Sequence, residues 1–223
     1  MFDKSVSSTI EQNRLNKQHY ALKALLGNYI IRAPIRNPSL ILDIGCGTGP
    51  VTREFGVLYP SAHSIYGIDL SPVPLNSTDG SNPNVSFICS DARKLIGLDP
   101  RLPTETADFI FNRLLLCGMT DWPGYVRDVF TMLKPGGWVE MQDFEEMFYL
   151  RGEKMDGEKK WRWLREFRRG ARGKGMDLDC GRNMRGYMLD AGFVDVDARQ
   201  FVVAVLEGSG YARDGGGLGV GDW

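Results

Sequence analysis

The segment Leu40-Ile41-Leu42-Asp43-Ile44-Gly45-Cys46-Gly47-Thr48-Gly49 constrains this chain more than any other part of it. An apolar run of strand length ends in a carboxylate and passes straight into three glycines at alternate positions. Glycine tolerates positive φ and leaves bare backbone for a ligand to lie against, so the segment reads as a strand, a ligand-binding turn and the start of a helix. Such a turn is shared by dinucleotide-binding folds, and the glycines alone do not choose between ligands. Asp43 narrows the choice. A carboxylate beside a helix N-terminus repels a pyrophosphate but suits an amino-acid ammonium, directly or through water. The expected ligand is zwitterionic and free of phosphate.

Two further strand ends repeat the pattern. Ser64 to Ile68 leads into Asp69-Leu70, where a carboxylate can take both hydroxyls of a ribose diol. Val85 to Ile88 leads to Asp91-Ala92, a carboxylate for an adenine amino group beside a residue small enough to leave room for the ring. Each aspartate has a plain alternative as a helix cap or loop residue. The order and spacing of all three favour one crevice at the carboxyl ends of parallel strands. A fourth strand ends at Asn112-Arg113, beside the substrate mouth in that topology; Arg113 could also be a surface cation or a partner for Asp108. The expected cofactor-binding set is therefore Asp43, Gly45, Cys46, Gly47, Gly49, Asp69, Leu70, Asp91, Ala92, Asn112 and Arg113.

The rest of the chain fits an α/β fold with a mostly parallel twisted sheet and helices on both faces. Strands are expected at 40–44, 64–69, 84–88, 107–112 and 137–143, with helices at 50–58 and 123–133. An amphipathic helix over 9–31 precedes them, ended by Pro34, and Lys134-Pro135-Gly136-Gly137 reads as a sharp helix-to-strand turn. A helix over 183–191 closed by Gly192 is followed by a strand or two within 193–206. The division expected is a helical segment over 1–36, a main domain over 37–206 with a helical insertion or lid at 151–180, and a flexible glycine-rich tail over 207–223.

Charge and cysteine usage exclude several classes. With 27 basic and 28 acidic residues the chain has no overall field that would gather nucleic acid. Ten Lys or Arg stand against four Asp or Glu over 151–174, interleaved with Trp161, Trp163 and Phe167. That segment reads first as a pocket cover with solvated charges, and only second as a polyanion site. Cys46, Cys89, Cys117 and Cys180 are far apart, and His19 and His63 complete no metal-ligand spacing. No secretory leader or membrane-spanning run is evident, so a cytoplasmic place is expected, with the nucleus as the alternative.

Asp43 to Gly49, Tyr59-Pro60-Ser61-Ala62, Gly67-Ile68-Asp69-Leu70-Ser71-Pro72, Asp121-Trp122-Pro123 and Leu133-Lys134-Pro135-Gly136-Gly137-Trp138-Val139-Glu140 together resemble the fungal TAM-domain, or LaeA-like, methyltransferases. Asn13-Arg14-Leu15 and Gln18-His19 match that family too. The resemblance is good over 10–145 and looser over 155–206. It implies a Rossmann-like class I methyltransferase fold of seven strands, S-adenosylmethionine across the first strand ends, and an N-terminal helix near the cofactor. Family members usually continue beyond the region matching 201–223, so the sheet is expected to lack its final hairpin partner.

The resemblance implies methylation of a small molecule in fungal secondary metabolism. Two alternatives stay open: a regulatory, partner-dependent cofactor-binding protein, and a methyltransferase fold used for a reaction other than methyl transfer. A protein partner or a homodimer is left open as well. No catalytic residue announces itself; Glu140, Asp143 and His19 are the candidate bases.

Overall fold

The computed structural model describes residues 9–74, 82–145, 148–150 and 153–201. Helix α1 (Thr9–Leu25) comes first. Strand β1 (Leu40–Ile44), helix α2 (Pro50–Leu58) and strand β2 (Ser64–Asp69) then form one β-α-β unit. Strand β3 (Val85–Cys89), helix α3 (Ala92–Leu95), strand β4 (Ala107–Arg113), helix α4 (Trp122–Met132) and strand β5 (Leu133–Gln142) complete the core. Beyond it lie the short strands β6 (Phe148–Leu150) and β7 (Glu153–Met155), then α5 (Gly157–Lys160), α6 (Arg162–Arg172) and α7 (Cys180–Ala191).

The main sheet is parallel throughout, in the order β3-β2-β1-β4-β5, so the order reverses between β1 and β4 and opens a crevice at their carboxyl ends. A strand covered on both faces must be apolar at successive positions, which is why Leu40 to Ile44 shows no polar alternation except Asp43. On the α2 face, Phe55 packs edge-on against Phe109 and Phe111 at 5.8 and 5.7 Å, with Ile41, Ile65 and Ile30 around them. On the other face Leu42, Ile68 and Ile110 meet Trp122, Tyr125 and Val129 of α4, with α7 packed outside. Period-two alternation sends Phe109, Phe111 and then Arg113 to the α2 face. Asn112 goes to the α4 face.

Local chemistry explains the helix ends. Pro50 supplies a preset φ at the first turn of α2, and Asp121 caps α4 by accepting from the Gly124 N–H at 3.0 Å. Gly192 closes α7 in the left-handed conformation at φ 105°, and the Phe193 N–H then reaches back to the Met188 carbonyl at 3.1 Å.

Several expectations are corrected. Helix α1 stops at Leu25 rather than running to residue 31, because Gly27 and Asn28 take positive φ and turn the chain so that Ile30 enters the core. The Lys134 to Gly137 turn lies within the bounds of β5 as an irregularity, with Leu133 opposite Ala107 but Trp138 opposite Phe109. No strand forms over 193–201. Val194 is 80% exposed there and Asp197 is taken by the neighbouring Arg199, so the segment has little apolar surface to commit to a sheet. Residues 202–206, and the glycine-rich tail over 207–223, lie outside the described residues. Among the described residues the main sheet has five strands, not the seven implied by the resemblance.

Candidate functional site

The glycine turn is held by its own backbone. The Gly45 and Cys46 N–H groups donate to the Ile68 carbonyl at 2.8 and 3.2 Å, the Gly49 N–H donates to Cys46, and the Gly47 N–H donates to Asp69 at 2.9 Å. These donors are spent inside the protein and are not left to cradle a phosphate. Gly45, Gly47 and Gly49 sit at φ 73°, 59° and 77°, a region costly for any residue with a Cβ. A Cβ at Gly45 would meet Leu115 and one at Gly49 would meet Phe87 at 2.7 Å, so protein side chains also bound the space at these two positions.

Asp43 and Asp69 flank this turn. Asp43 is buried and accepts from the Thr52 hydroxyl at 2.6 Å; burial, opposed by that bond and by Arg113, pushes its carboxyl up to about 6. Asp69 accepts from the N–H groups of Gly47 and Ser71, both at 2.9 Å. Each of its oxygens has a second lone pair, so two further hydroxyl donors can still be accommodated. Leu70 beside it is 61% exposed, an apolar face on the rim of the crevice.

Asp91 takes the plain role that its sequence allowed. It caps α3, accepting from the Arg93 N–H at 3.1 Å. Its strand end still lies beside that of β2, since the Ser90 N–H donates to the Asp69 carbonyl at 2.8 Å. Ala92 packs against the α4-side core. Cys46 is buried beside Asp43 and Asp69, and burial holds its thiol well above the usual range, which removes it as a nucleophile.

At the end of β4 the structure leaves polar atoms without partners. Asn112 is fully buried; its Oδ1 accepts from the Tyr125 hydroxyl at 3.2 Å, while its Nδ2 has no partner among the described residues. Arg113 Nη1 is likewise buried and unpaired, as is Oε1 of Gln142, the residue opposite Arg113 in β5. Asp108, the alternative partner named for Arg113, binds Lys134 and the N–H groups of Ser39 and Leu40 instead. Orphaned buried polar atoms are uncommon, and these three belong to residues at the ends of the adjacent strands β4 and β5. Leu114, the next residue, sits at φ 59°, a strained turn that carries Leu115 over Gly45.

Helix α1 closes over the turn with a polar stripe that apolar periodicity did not reveal. Asn16 accepts from the Thr48 hydroxyl at 2.7 Å, and Lys23 binds Glu54 of α2 at 2.6 Å. His19 lies between them, buried, with Nε2 2.9 Å from Glu54 and Nδ1 2.8 Å from Arg113 Nη2. A guanidinium only donates, so Nδ1 accepts, Nε2 carries the hydrogen, and the ring is neutral. Burial, opposed by the Glu54 hydrogen bond, lowers its pKa below the usual histidine value. Asn16, His19 and Lys23 at spacings of three and four are the signal by which this face could have been found.

A cleft of about 860 Å³ runs along β5 from Gly136 to Asp143, between α1 with Arg32 to Pro34 and α7 with residues 193–201, and meets the end of β4 at Arg113 and Leu114. Leu22, Leu25, Met184 and Met188 give it apolar walls, and Arg113 is the expected cofactor residue that reaches it. Of the candidate bases, Glu140 is occupied with the N–H groups of Arg32 and Ala33 at 2.7 and 2.9 Å, and both His19 nitrogens are engaged. Asp143 lines the cleft and, among the described residues, accepts backbone N–H groups, from Leu116 at 3.0 Å, Phe144 at 2.9 Å and Leu115. Burial, opposed by those bonds, pushes its carboxyl up to about 6.

Comparison with known proteins agrees with this geometry. The family model described as a methyltransferase domain matches residues 17–198. The methyltransferase pytC of Aspergillus terreus (strain NIH 2624 / FGSC A1156) is 28% identical over 197 residues, covering 87% of this chain and 58% of that protein. The secondary metabolism regulator laeA of Monascus pilosus is 30% identical over 138 residues, covering 61% of this chain and 35% of that protein. The chain thus spans roughly a third to three fifths of the length of these two relatives. Among solved structures, phosphoethanolamine N-methyltransferase 2 of Haemonchus contortus in complex with S-adenosyl-L-methionine aligns with a TM-score of 0.54 at 19% identity, over 80% of this chain and 37% of that one. It shares the fold. With a family model spanning most of the chain, a parallel sheet reversing at β1 and β4, and a glycine turn flanked by Asp43 and Asp69, the chain belongs to the methyltransferase-domain family, whose cofactor is S-adenosylmethionine.

Proposed function

We propose that the chain binds S-adenosylmethionine at the crevice between the β1 and β4 ends and methylates a small, largely apolar molecule held in the adjoining cleft. The observation that carries this reading is the division of polar groups at the crevice. The N–H donors of Gly45, Cys46, Gly47 and Gly49 are consumed internally, whereas Asp43, Asp69, Asn112 and Arg113 keep acceptor or donor capacity at neighbouring strand ends. Such a site suits a zwitterionic nucleoside and not a phosphate ester. Asp43 is assigned to the ammonium, Asp69 to the ribose hydroxyls, Asp91 and Ala92 to the adenine end, and Asn112 with Arg113 to the methionyl end beside the methyl donor. Gly45, Cys46, Gly47, Gly49 and Leu70 form the surrounding wall.

When bound, the cofactor supplies an activated methyl group. The protein's part is positional: α1 and the Leu114 to Leu116 loop close off the turn, and the cleft walls hold the acceptor in line in a water-poor space. Asp143 is the carboxylate placed to take a proton from a hydroxyl or amine acceptor. The segment over 151–180 is assigned to cover this cleft, within a main domain over 37–206 that follows the helical segment over 1–36. A cytoplasmic place, with the nucleus as the alternative, is part of this reading; among the described residues no helix is long and apolar enough to cross a membrane. A second reading, a cofactor-binding regulator whose activity needs a protein partner, is supported by the similarity to laeA.

Replacing Asp69 by Ala tests the site. Loss of hydrogen bonds to a charged acceptor is expected to weaken S-adenosylhomocysteine binding by about 1.5–3 kcal/mol, on the order of 10- to 150-fold in Kd. Unchanged affinity by calorimetry refutes the assignment. Consumption of S-adenosylmethionine with an acceptor panel, alone and with cell extract added, separates the enzyme from the partner-dependent regulator.

A further inference from the structure

Arg113 is an unusual place for a cation. It continues the face of β4 that carries Phe109 and Phe111, so its guanidinium enters the protein over the α2-side core instead of pointing to water. Burial acts against its charge, and among the described residues it makes no ion pair of the kind that usually compensates such a group. Nη2 is held by a neutral imidazole, His19 Nδ1, and Nη1 is buried with no partner among the described residues. The nearby charges are accounted for. Glu54 gives one oxygen to His19 and the other to Lys23, and so offsets the lysine. Asp43 remains, accepting from Thr52 and making no hydrogen bond to Arg113 in the described structure. Asp43 and Arg113 thus stand at the ends of neighbouring paired strands as an anion and a cation that attract each other without touching.

That arrangement is the complement of an amino-acid zwitterion. We propose that Arg113 Nη1 binds the carboxylate of the cofactor's methionyl end while Asp43 takes its ammonium, so that recognition of this end is shared between β4 and β1. The inference rests on the cofactor reading given above and assigns within it the group that reads the carboxylate. His19 is a positioning residue: by accepting from Nη2 it fixes the guanidinium plane and leaves Nη1 as the unpartnered edge, and Glu54 fixes the tautomer that permits this. An arginine donating through one fixed edge also explains why the buried cation carries no carboxylate of its own. Arg113 lines the cleft as well, so an acidic group of the methyl acceptor is the rival source of the same chemistry.

The test is calorimetric titration of the full chain with two ligands that differ only in the carboxylate: S-adenosylhomocysteine and its decarboxylated analogue, 5′-(3-aminopropylthio)-5′-deoxyadenosine. Wild type is expected to bind the homocysteine compound at least about tenfold tighter than the propylamine, as for a charge-assisted hydrogen bond. Arg113→Gln should erase most of that preference, weakening the carboxylate ligand about tenfold or more while leaving the propylamine within about threefold. His19→Gln, which offers a carbonyl in place of Nδ1, should lower the same preference part-way. Equal binding of the two ligands by wild type overturns the proposal without any variant. Arg113→Gln weakening both ligands alike, or leaving the carboxylate ligand unaffected, also overturns it, the latter outcome handing Arg113 to the acceptor. Failure of wild type to bind either ligand overturns the cofactor reading itself, and the assignment of Arg113 falls with it.

Discussion

Asp43 shows how a residue can be costly to the fold and still belong where it is. Its carboxyl sits at about 6 in the folded chain against 3.8 unperturbed, so the folded state holds its proton more tightly than the unfolded chain does. The sign follows. Folded stability is undiminished below about pH 4, falls as the pH rises through the window from about 4 to about 6, and the full cost of the buried charge is present at neutral pH. Asp43→Asn is therefore expected to raise the free protein's stability at pH 7 by about 1–3 kcal/mol, read as an increase in Tm, while weakening S-adenosylhomocysteine binding. A variant both less stable and unaltered in binding would contradict this. Asp143 gives a second pH prediction. As a base it must be ionised, so turnover of a hydroxyl acceptor should rise as the pH passes upward through about 6, and Asp143→Asn should flatten that limb. At this scale the sequence was informative about identity and less so about role. Asp43 and Asp69 were legible because each ends an apolar run, whereas Thr52 and Glu54 gave no motif signal and Asn16 only the polar spacing it shares with His19 and Lys23; their roles come from the docking of α1 and α2 across one turn. Asp91 had both readings open, and its side chain is an N-cap here.

At the scale of elements, the β1 turn and the α2 face behind it bear most of the load. Gly45 is doubly restricted, by φ 73° and by Leu115 above it, so Gly45→Ala should cost about 2 kcal/mol or more and displace the Leu114 to Leu116 loop. Phe55 joins two phenylalanines of β4 to α2; Phe55→Ala should cost about 3–5 kcal/mol in denaturant unfolding, since the surrounding strands cannot collapse into the space. A loss below about 1 kcal/mol in either variant would mean that these contacts are not packed as described. Strands β1, β2 and β4 were legible in the sequence almost to the residue because strands buried on both faces are continuous apolar runs. Helix α1 was overextended because Leu26 and Tyr29 keep its periodicity while Gly27 and Asn28 break the backbone. The apolar residues of 193–201 suggested a strand, but a strand needs a neighbour, and pairing is not written in the segment itself.

Across the whole molecule, topology decides which local features meet. The alternation of strands and helices predicted a parallel sheet, and the reversal of order between β1 and β4 brings Asp43, the glycine turn, Asn112 and Arg113 to one crevice from segments some seventy residues apart. The cleft proposed for the acceptor was not legible, since its walls come from α1, β5, α7 and residues 193–201, which no single motif links. The central claim is that this crevice is the cofactor site. The most direct measurement is calorimetric titration of the purified chain with S-adenosylhomocysteine. The account predicts one site per chain with a Kd of order micromolar, about −8 kcal/mol. No heat of binding from a sample shown to be folded by circular dichroism would contradict it.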